Sequence, residues 1–209
     1  MALSSHLFHS QRTKALDNLA YEMNYDFRRK DKYDFFRLLK EFELCKTHRY
    51  KKARNIISKT DAWQEEEVFI FDYIQVNLWP CFWLKDKHKR QTVFFVVSRH
   101  LELPELLIKP RPTIIPKQWE LLSRKEIRFD HHPEFDNKYL VRGENEALTK
   151  KMVNKYLIHF LTHLDGWTIE SLNFLLVIYK QNDLVPPEEI PEFLESCMEI
   201  YHRFKVPLR

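Results

Sequence analysis

Glycine and cysteine are scarce in this sequence. Only 2 of the 209 residues are glycine, Gly143 and Gly166, so neither the GxGxxG nor the GxxxxGK[ST] phosphate loop can be written. The three cysteines form no CxxC pair, which is typical of buried thiols in a reducing compartment. These shortages exclude the common nucleotide-binding motifs and argue against a disulfide framework.

Long apolar runs are also missing. The most apolar stretch, residues 68–84, is interrupted by polar residues and a proline: Asp72, Gln75, Asn77 and Pro80. It is too short and too polar to span a bilayer. The first residues, "MALSSHLFHSQRTK", contain no apolar core of a secretory signal. We therefore expect a soluble, cytoplasmic protein.

The charge is nearly balanced but unevenly placed. The formal net charge is +4, and the composition is 44% hydrophobic and 31% charged, as in globular proteins. Residues 46–59 contain six Lys or Arg and no acid, whereas residues 183–199 contain six acids and no base. Such asymmetry is typical either of a binding surface or of solvated faces.

Hydrophobic periodicity predicts the order of elements. Helices are expected near the N-terminus, between the later strands and at the C-terminus, at residues 10–45, 145–164 and 186–204. Runs rich in Val, Ile, Phe and Tyr predict strands at residues 65–79 and 90–99, and shorter strands at 125–130, 138–143 and 167–180. A short helix is expected at residues 116–123. The four prolines of residues 103–116 favour an edge segment or loop.

Strands grouped between helices favour an α+β fold with a mainly antiparallel sheet. We predict one domain over residues 1–209, with N-terminal helices packed on about six strands. The sheet is expected within residues 46–180, with the helix of residues 145–164 inserted between its strands and a C-terminal helix after it.

Several short motifs recur in one order along the chain. They are an Asn-hydrophobic pair at Asn55, an FDY strand ending at Tyr73, a QTV strand starting at Gln91, an LPxL segment at Leu103, a "peF…Y-V-x-G" turn at Pro133–Gly143 and a "w-x-i-E" hairpin at Glu170. In this order the chain resembles an uncharacterised bacterial domain family, whose members often carry the domain after a membrane anchor. The resemblance implies an α+β fold and no particular activity.

Histidines and carboxylates suggest a metal site in two places. The candidate ligands are Asp130, His131, His132 and Asp136 in "DHHPEFD", and His159 and His163 in "HFLTH". The second pair has the i, i+4 spacing of a zinc helix, but Phe160 stands where HExxH has its glutamate. The alternative is a polar turn anchored by Phe135 and Tyr139, with two boundary histidines on the helix.

Asp72 is unusual because it interrupts an apolar strand. A carboxylate there must be paired, hydrogen-bonded or exposed to water. Alternation with Phe71 and Tyr73 predicts that Asp72 points to solvent. Glu170 would be its partner if the two formed a carboxylate pair for acid–base catalysis.

The basic run of residues 46–59 raises the question of a polyanionic partner. Its candidate contacts are Arg49, Lys51, Lys52 and Arg54, and "KDKHKR" at residues 85–90 is a possible second patch. The run is equally typical of a solvated sheet edge protected by lysine, or of contact with an anionic membrane surface.

The function expected first is therefore a non-catalytic interaction module with a protein partner, no cofactor and no assigned catalytic residue. The alternatives are a metal-dependent, hydrolase-like enzyme at His131 and His132, and a protein that binds nucleic acid or an anionic membrane through the basic run.

Overall fold

The structure is a computed structural model that describes residues 2–32, 34–46, 50–63, 65–76, 88–112 and 126–205. In these ranges nine strands form one sheet: β1 Asp26–Lys30, β2 Tyr50–Asp61, β3 Glu66–Val76, β4 His88–Ser98, β5 Leu103–Pro110, β6 Glu126–Ile127, β7 Tyr139–Gly143, β8 Trp167–Asn173 and β9 Leu175–Lys180. The spatial order is β1-β2-β3-β4-β9-β8-β5-β7-β6. Every neighbouring pair is antiparallel.

The described helices precede, interrupt and follow the strands. They are α1 Ala2–Glu22, α2 Phe35–Leu38, α3 Glu43–Lys46, α4 Pro133–Lys138, α5 Glu146–Met152, α6 Lys155–Thr162, a 3-10 turn at Pro187–Glu189 and α7 Ile190–Phe204. In this part of the chain no helix is long and apolar enough to cross a membrane.

The two faces of the sheet bury separate apolar clusters because side chains alternate along each strand. The first face includes Ile70, Phe94 and Ile178 and packs against α1, α4, α5, α6 and α7. The second face includes Phe71 and Phe95 and is covered by the segment that carries α2 and α3, through Phe35, Leu39 and Phe42. Each candidate site can therefore be assigned to one face.

The predicted α+β class and large antiparallel sheet are confirmed, but the expected number of strands, about six, was too low. Strand β1 is missed because its sequence, DFRRK, shows no apolar alternation. Strand β5 was wrongly expected at an edge, since it pairs with β7 and β8. Its Pro104 falls within a register irregularity between Leu103 and Leu106, where a missing N–H is tolerated.

Other predicted boundaries also change. The long helix expected at 145–164 is two helices, because the side chain of Asn154 accepts hydrogen bonds from the backbone N–H groups of Tyr156 and Leu157 and starts a new helix. The basic run is at an edge only in part: residues 54–58 of β2 pair with β1 as well as β3, whereas residues 50–53 pair with β3 alone among the described strands. The helix expected at residues 116–123 lies outside the described residues, and the single-domain organisation stays a prediction.

Gly143, at the end of β7, allows α5 to lie directly on the sheet. A Cβ at this position would collide with Oγ1 of Thr149 and would lie 3.2 Å from its Cβ and 3.3 Å from the carbonyl oxygen of Glu105. Thr149 is fully buried, and its hydroxyl has no hydrogen-bond partner in the described part of the chain. The glycine is needed here for space.

We predict that Gly143→Ala lowers the free energy of unfolding by about 1–3 kcal/mol, as overpacking does. Adding Thr149→Ala should recover part of this loss, because it removes the clashing hydroxyl. The measurement is urea denaturation of both single variants and the double variant. Gly166→Ala is the control, since φ at Gly166 is +80° and its Cβ position meets only Cδ of Lys180, at 4.0 Å, among the described residues, so Thr149→Ala should not rescue it. Equal effects of Thr149→Ala in both backgrounds would contradict the steric explanation.

Candidate anion-binding site

A buried ion pair joins α1 to the first face of the sheet. Arg12 donates from Nε to Oδ2 of Asp72 at 2.9 Å and from Nη2 to Oδ1 at 2.7 Å. The exposed fractions of the two residues are 6% and 5%. This two-point geometry gives a buried charged pair a defined orientation. The prediction that Asp72 points to solvent was wrong, because α1 covers it.

Further hydrogen bonds complete the network around Asp72. Asn55 donates from Nδ2 to Oδ2 of Asp72 at 2.8 Å, and Thr13 donates to Oδ1 of Asn55 at 2.9 Å. Arg12 Nη1 also donates to the carbonyl of Val185 at 2.8 Å. Asn55 has φ of 51° and lies at a bulge in the β2–β3 pairing, where asparagine tolerates the left-handed region. The network is therefore a fixed, buried floor.

Basic side chains from four elements surround this floor. Lys14 of α1, Arg29 and Lys30 of β1, Arg54 of β2 and Arg90 of β4 line, with the floor, a cavity of about 360 Å³. We call these five residues the basic rim and the cavity the basic pocket. Among the described residues, the lining contains six basic side chains, counting Arg12, and one carboxylate, Asp72.

The rim carries positive charge that no carboxylate among the described residues neutralises. Asp72 already binds Arg12, and no rim residue forms an ion pair within the described ranges. Converging cations repel one another, and a bound anion relieves that repulsion. The described residues of the lining include no aromatic side chain, so these residues offer an oxyanion charged hydrogen bonds without a stacking surface for a nucleobase.

The structure separates the residues of the predicted basic patch. Arg54 joins the rim, Lys52 is exposed on the same strand, and Lys51 donates to the backbone carbonyl of Cys45 next to the second face. Arg49 and residues 85–87 lie outside the described residues. Sequence reasoning placed Arg90 only in a possible second patch at residues 85–90 and missed Lys14, Arg29 and Lys30, because the rim residues come from four elements that meet only in the folded chain.

The "DHHPEFD" motif forms a turn and a short helix. Asp136 is buried, and both of its carboxylate oxygens accept from the backbone N–H of Phe129, at 3.2 and 2.9 Å. Asp130 and His131 are exposed, and His132 is half-buried. Phe135 and Tyr139 are fully buried and stack at 5.5 Å, so the anchoring role expected of them is present.

The second histidine pair lies on the outer surface of α6 and its C-terminus. The rings of His159 and His163 are 4.8 Å apart, edge to face, and both side chains are exposed. No three His, Cys, Asp or Glu side chains among the described residues are arranged to hold a metal ion. The structure therefore does not bring the two histidine pairs together as one set of ligands.

Glu170 is buried on the second face, away from Asp72. Its carboxylate accepts from the backbone N–H groups of Glu43 and Leu44 and from the hydroxyl of Tyr179 at 2.9 Å. Burial raises the pKa of Glu170, and the bond from Tyr179 opposes that rise. The carboxylate thus attaches α3 to the sheet, and the two acids do not form the pair considered from the sequence.

Two described cysteines are buried thiols. Burial raises the pKa of Cys45 to about 11 and that of Cys197 well above its ordinary value. A thiol with a raised pKa is a poor nucleophile at neutral pH. Cys81 lies outside the described residues.

The fold defines a protein class: an α+β chain whose large antiparallel sheet carries helices on both faces. No protein-family model matches the chain, and no curated protein matches its sequence. Its structure is similar to the crystal structure of the mycobacterial trehalose monomycolate transport factor A, TtfA. The TM-score is 0.62 at 12% identity, over 93% of this chain and 96% of that chain. This likeness concerns the fold, and the family resemblance noted in the sequence stays a prediction.

Removing one partner of the buried pair should be costly. We predict that Asp72→Ala lowers the free energy of unfolding by about 3–5 kcal/mol, because the Arg12 guanidinium stays buried without its counter-charge. The double variant Arg12→Met/Asp72→Leu should recover most of that loss. Urea denaturation measures all three stabilities. A small loss for Asp72→Ala, or a double variant no more stable than Asp72→Ala, would contradict the role assigned to the pair.

The raised pKa of Glu170 predicts a pH dependence of stability. The folded state holds the carboxyl proton of Glu170 more tightly than the unfolded chain does. The stability that this proton contributes is therefore fully present below the ordinary pKa of about 4.3. It is lost as pH rises through the raised folded value. The stability of wild type relative to Glu170→Gln should therefore fall with rising pH. Denaturation at several pH values measures this difference.

Tyr179→Phe provides the matched variant for the same experiment. Loss of the tyrosine hydroxyl removes a hydrogen bond that favours the charged form of Glu170. The decrease in stability should therefore occur at higher pH. A pH profile of Glu170→Gln parallel to that of wild type would show that Glu170 is not the titrating group.

Proposed function

We propose that this protein is a non-catalytic binding module that recognises a phosphate-bearing ligand in the basic pocket. The observation that carries the proposal is the convergence of five cations without ion-pair partners in the described structure on a buried, fully hydrogen-bonded floor. A rigid floor holds the backbone of α1 and β2 in place, so the rim charges converge before any ligand arrives. Such preorganisation lowers the cost of binding.

The chemistry of the lining favours a phosphate group over other anions. Arginine and lysine together supply forked and single charged donors, which suit an oxyanion with several oxygens. A cavity of about 360 Å³ is large enough for a headgroup or a small phosphate ester. A single-stranded nucleic acid site would combine such charge with aromatic stacking, and the lining residues that the structure describes include no aromatic side chain.

The structural comparison is compatible with a binding role. The similar structure is that of a protein named trehalose monomycolate transport factor A. That name describes transport. The likeness supports a binding module in this chain without indicating its ligand. The charge of the basic rim is what favours an anionic ligand. Interaction with a protein partner, expected from the sequence, stays a prediction.

Reversing two rim charges tests the proposal. In Lys30→Glu/Arg54→Glu, binding of phosphate probes should weaken at least roughly tenfold, because each charge-assisted hydrogen bond contributes about 1.5–3 kcal/mol. The probes are glycerol 3-phosphate, measured by calorimetry, and phosphatidylcholine vesicles with and without phosphatidate, measured by co-sedimentation. Lys151→Glu/Lys155→Glu, with the same change in net charge on exposed residues of α5 and α6, should bind like wild type.

The two probes distinguish the source of the phosphate. Binding of both probes, or of glycerol 3-phosphate alone, indicates a soluble phosphate ester, whereas binding only to phosphatidate vesicles indicates a lipid headgroup. Binding to neither probe overturns the proposal. If only a thymidine oligonucleotide binds, with affinity that falls steeply with salt, the nucleic-acid alternative replaces it. Equal losses in both double variants would show an unspecific charge effect, which also overturns the site.

A further inference from the structure

A second cavity adjoins the basic pocket along α1. It has a volume of about 390 Å³ and lies between α1 and the segment that leads from β9 into the 3-10 turn. Four of its described lining residues are apolar: Ala15, Leu184, Pro186 and Pro187. We call it the apolar cavity. Arg12 and Leu184 line both the apolar cavity and the basic pocket, so the two cavities are neighbours.

Arg12 holds the two cavities in a fixed relation. Its Nε and Nη2 bind Asp72 in the floor of the basic pocket, while its Nη1 donates at 2.8 Å to the carbonyl of Val185, in the loop beside the apolar cavity. The backbone N–H of Val185 donates to Oγ1 of Thr92 at 3.0 Å. Since Arg12 and Thr92 are both buried, residues 184–187 are attached to α1 and to the sheet. The fold therefore sets the separation of the cavities, as a ligand that occupies both requires.

The loop wall of the apolar cavity offers few donors to a polar ligand. Pro186 and Pro187 have no backbone N–H, and the N–H of Val185 is already bound to Thr92. Leu184, Pro186 and Pro187 are half-buried, so each keeps apolar surface in contact with water. Covering that surface with an alkyl chain is favourable, because both apolar surfaces leave water.

We propose that the phosphate-bearing ligand of the basic pocket is a lipid whose apolar chain lies in the apolar cavity. On the proposed function, on which this inference rests, the phosphate binds at the basic rim. The chain then passes Leu184, which lines both cavities. A cationic cavity beside an apolar one matches a molecule with one charged end and one apolar end. A polar ester such as glycerol 3-phosphate fills only the basic pocket and leaves the apolar wall in water.

Alkyl phosphates of two chain lengths test the proposal by calorimetry. Hexyl phosphate should bind at least roughly tenfold more tightly than ethyl phosphate, because each methylene group taken out of water strengthens binding by up to about fourfold. Hexan-1-ol, which has the chain without the phosphate, should bind at least roughly tenfold more weakly than hexyl phosphate. In NMR spectra, hexyl phosphate should shift the methyl signal of Ala15, whereas ethyl phosphate should not.

Variants of single alanines separate the chain site from the phosphate site. Ala15→Gln brings a longer polar side chain to the apolar cavity and keeps a residue that favours helix. It should remove most of the advantage of hexyl phosphate and leave ethyl phosphate binding unchanged, since Ala15 does not line the basic pocket. Ala147→Gln, the same change at an exposed position of α5, should bind both alkyl phosphates like wild type. Lys30→Glu/Arg54→Glu should weaken the binding of both.

The outcomes separate failure of this inference from failure of the proposed function. Equal affinities for ethyl and hexyl phosphate overturn the lipid ligand and leave the phosphate site in place. Hexan-1-ol that binds as tightly as hexyl phosphate, or tighter binding of hexyl phosphate without a shift at Ala15, also overturns the lipid ligand. Binding of neither alkyl phosphate, or unchanged binding of hexyl phosphate to Lys30→Glu/Arg54→Glu, overturns both proposals. The wild-type measurements decide this even if a variant fails to fold.

Discussion

The buried pair between Arg12 and Asp72 is the interaction on which the first face of the sheet depends. It joins the N-terminal helix to the third strand over 60 residues of sequence, and both charges are removed from water. Such a pair is expensive to break and adds little stability over apolar packing. Its contribution is geometric: it fixes Asn55 at the bulge and so directs Arg54 towards the pocket. A structural network and a candidate site therefore share the same atoms.

Alternation along the strands gives the sheet two chemistries at the same end. On β3, Phe71 and Tyr73 face the second cluster, while Asp72 between them faces the first. On β4, Arg90 lies at the basic pocket, whereas Gln91 lies on the second face, on the same side of the strand as Val93 and Phe95. One sheet thus separates cations without ion-pair partners in the described structure from a row of buried amides and hydroxyls.

Local residue patterns predicted the strands whose own residues favour a strand. Strands β3, β4 and β9 are dense in β-branched and aromatic residues, so their existence could be predicted from sequence. Strand β1 could not be predicted in this way, because its polar sequence lacks apolar alternation and the strand forms by pairing with β2. The direction of Asp72 was missed for a related reason. Alternation assigns a residue to a face, but only tertiary structure shows that Arg12 covers that face.

The basic pocket shows most clearly why sites are harder to predict than strands. A run of charge along β2 was visible, yet alternation along the strand sends Lys51 and Arg54 to different faces. The rim is completed by Lys14 and Arg90, which are 76 residues apart in sequence and meet only because α1 packs across the strands. Charge that converges through tertiary structure leaves no motif. Fold similarity to a transport factor does not identify these cations either, since two proteins can share a fold and carry different residues at the same positions. The chemistry must be inferred from side chains that the fold brings together, and here these are cations that lack a carboxylate in the described structure.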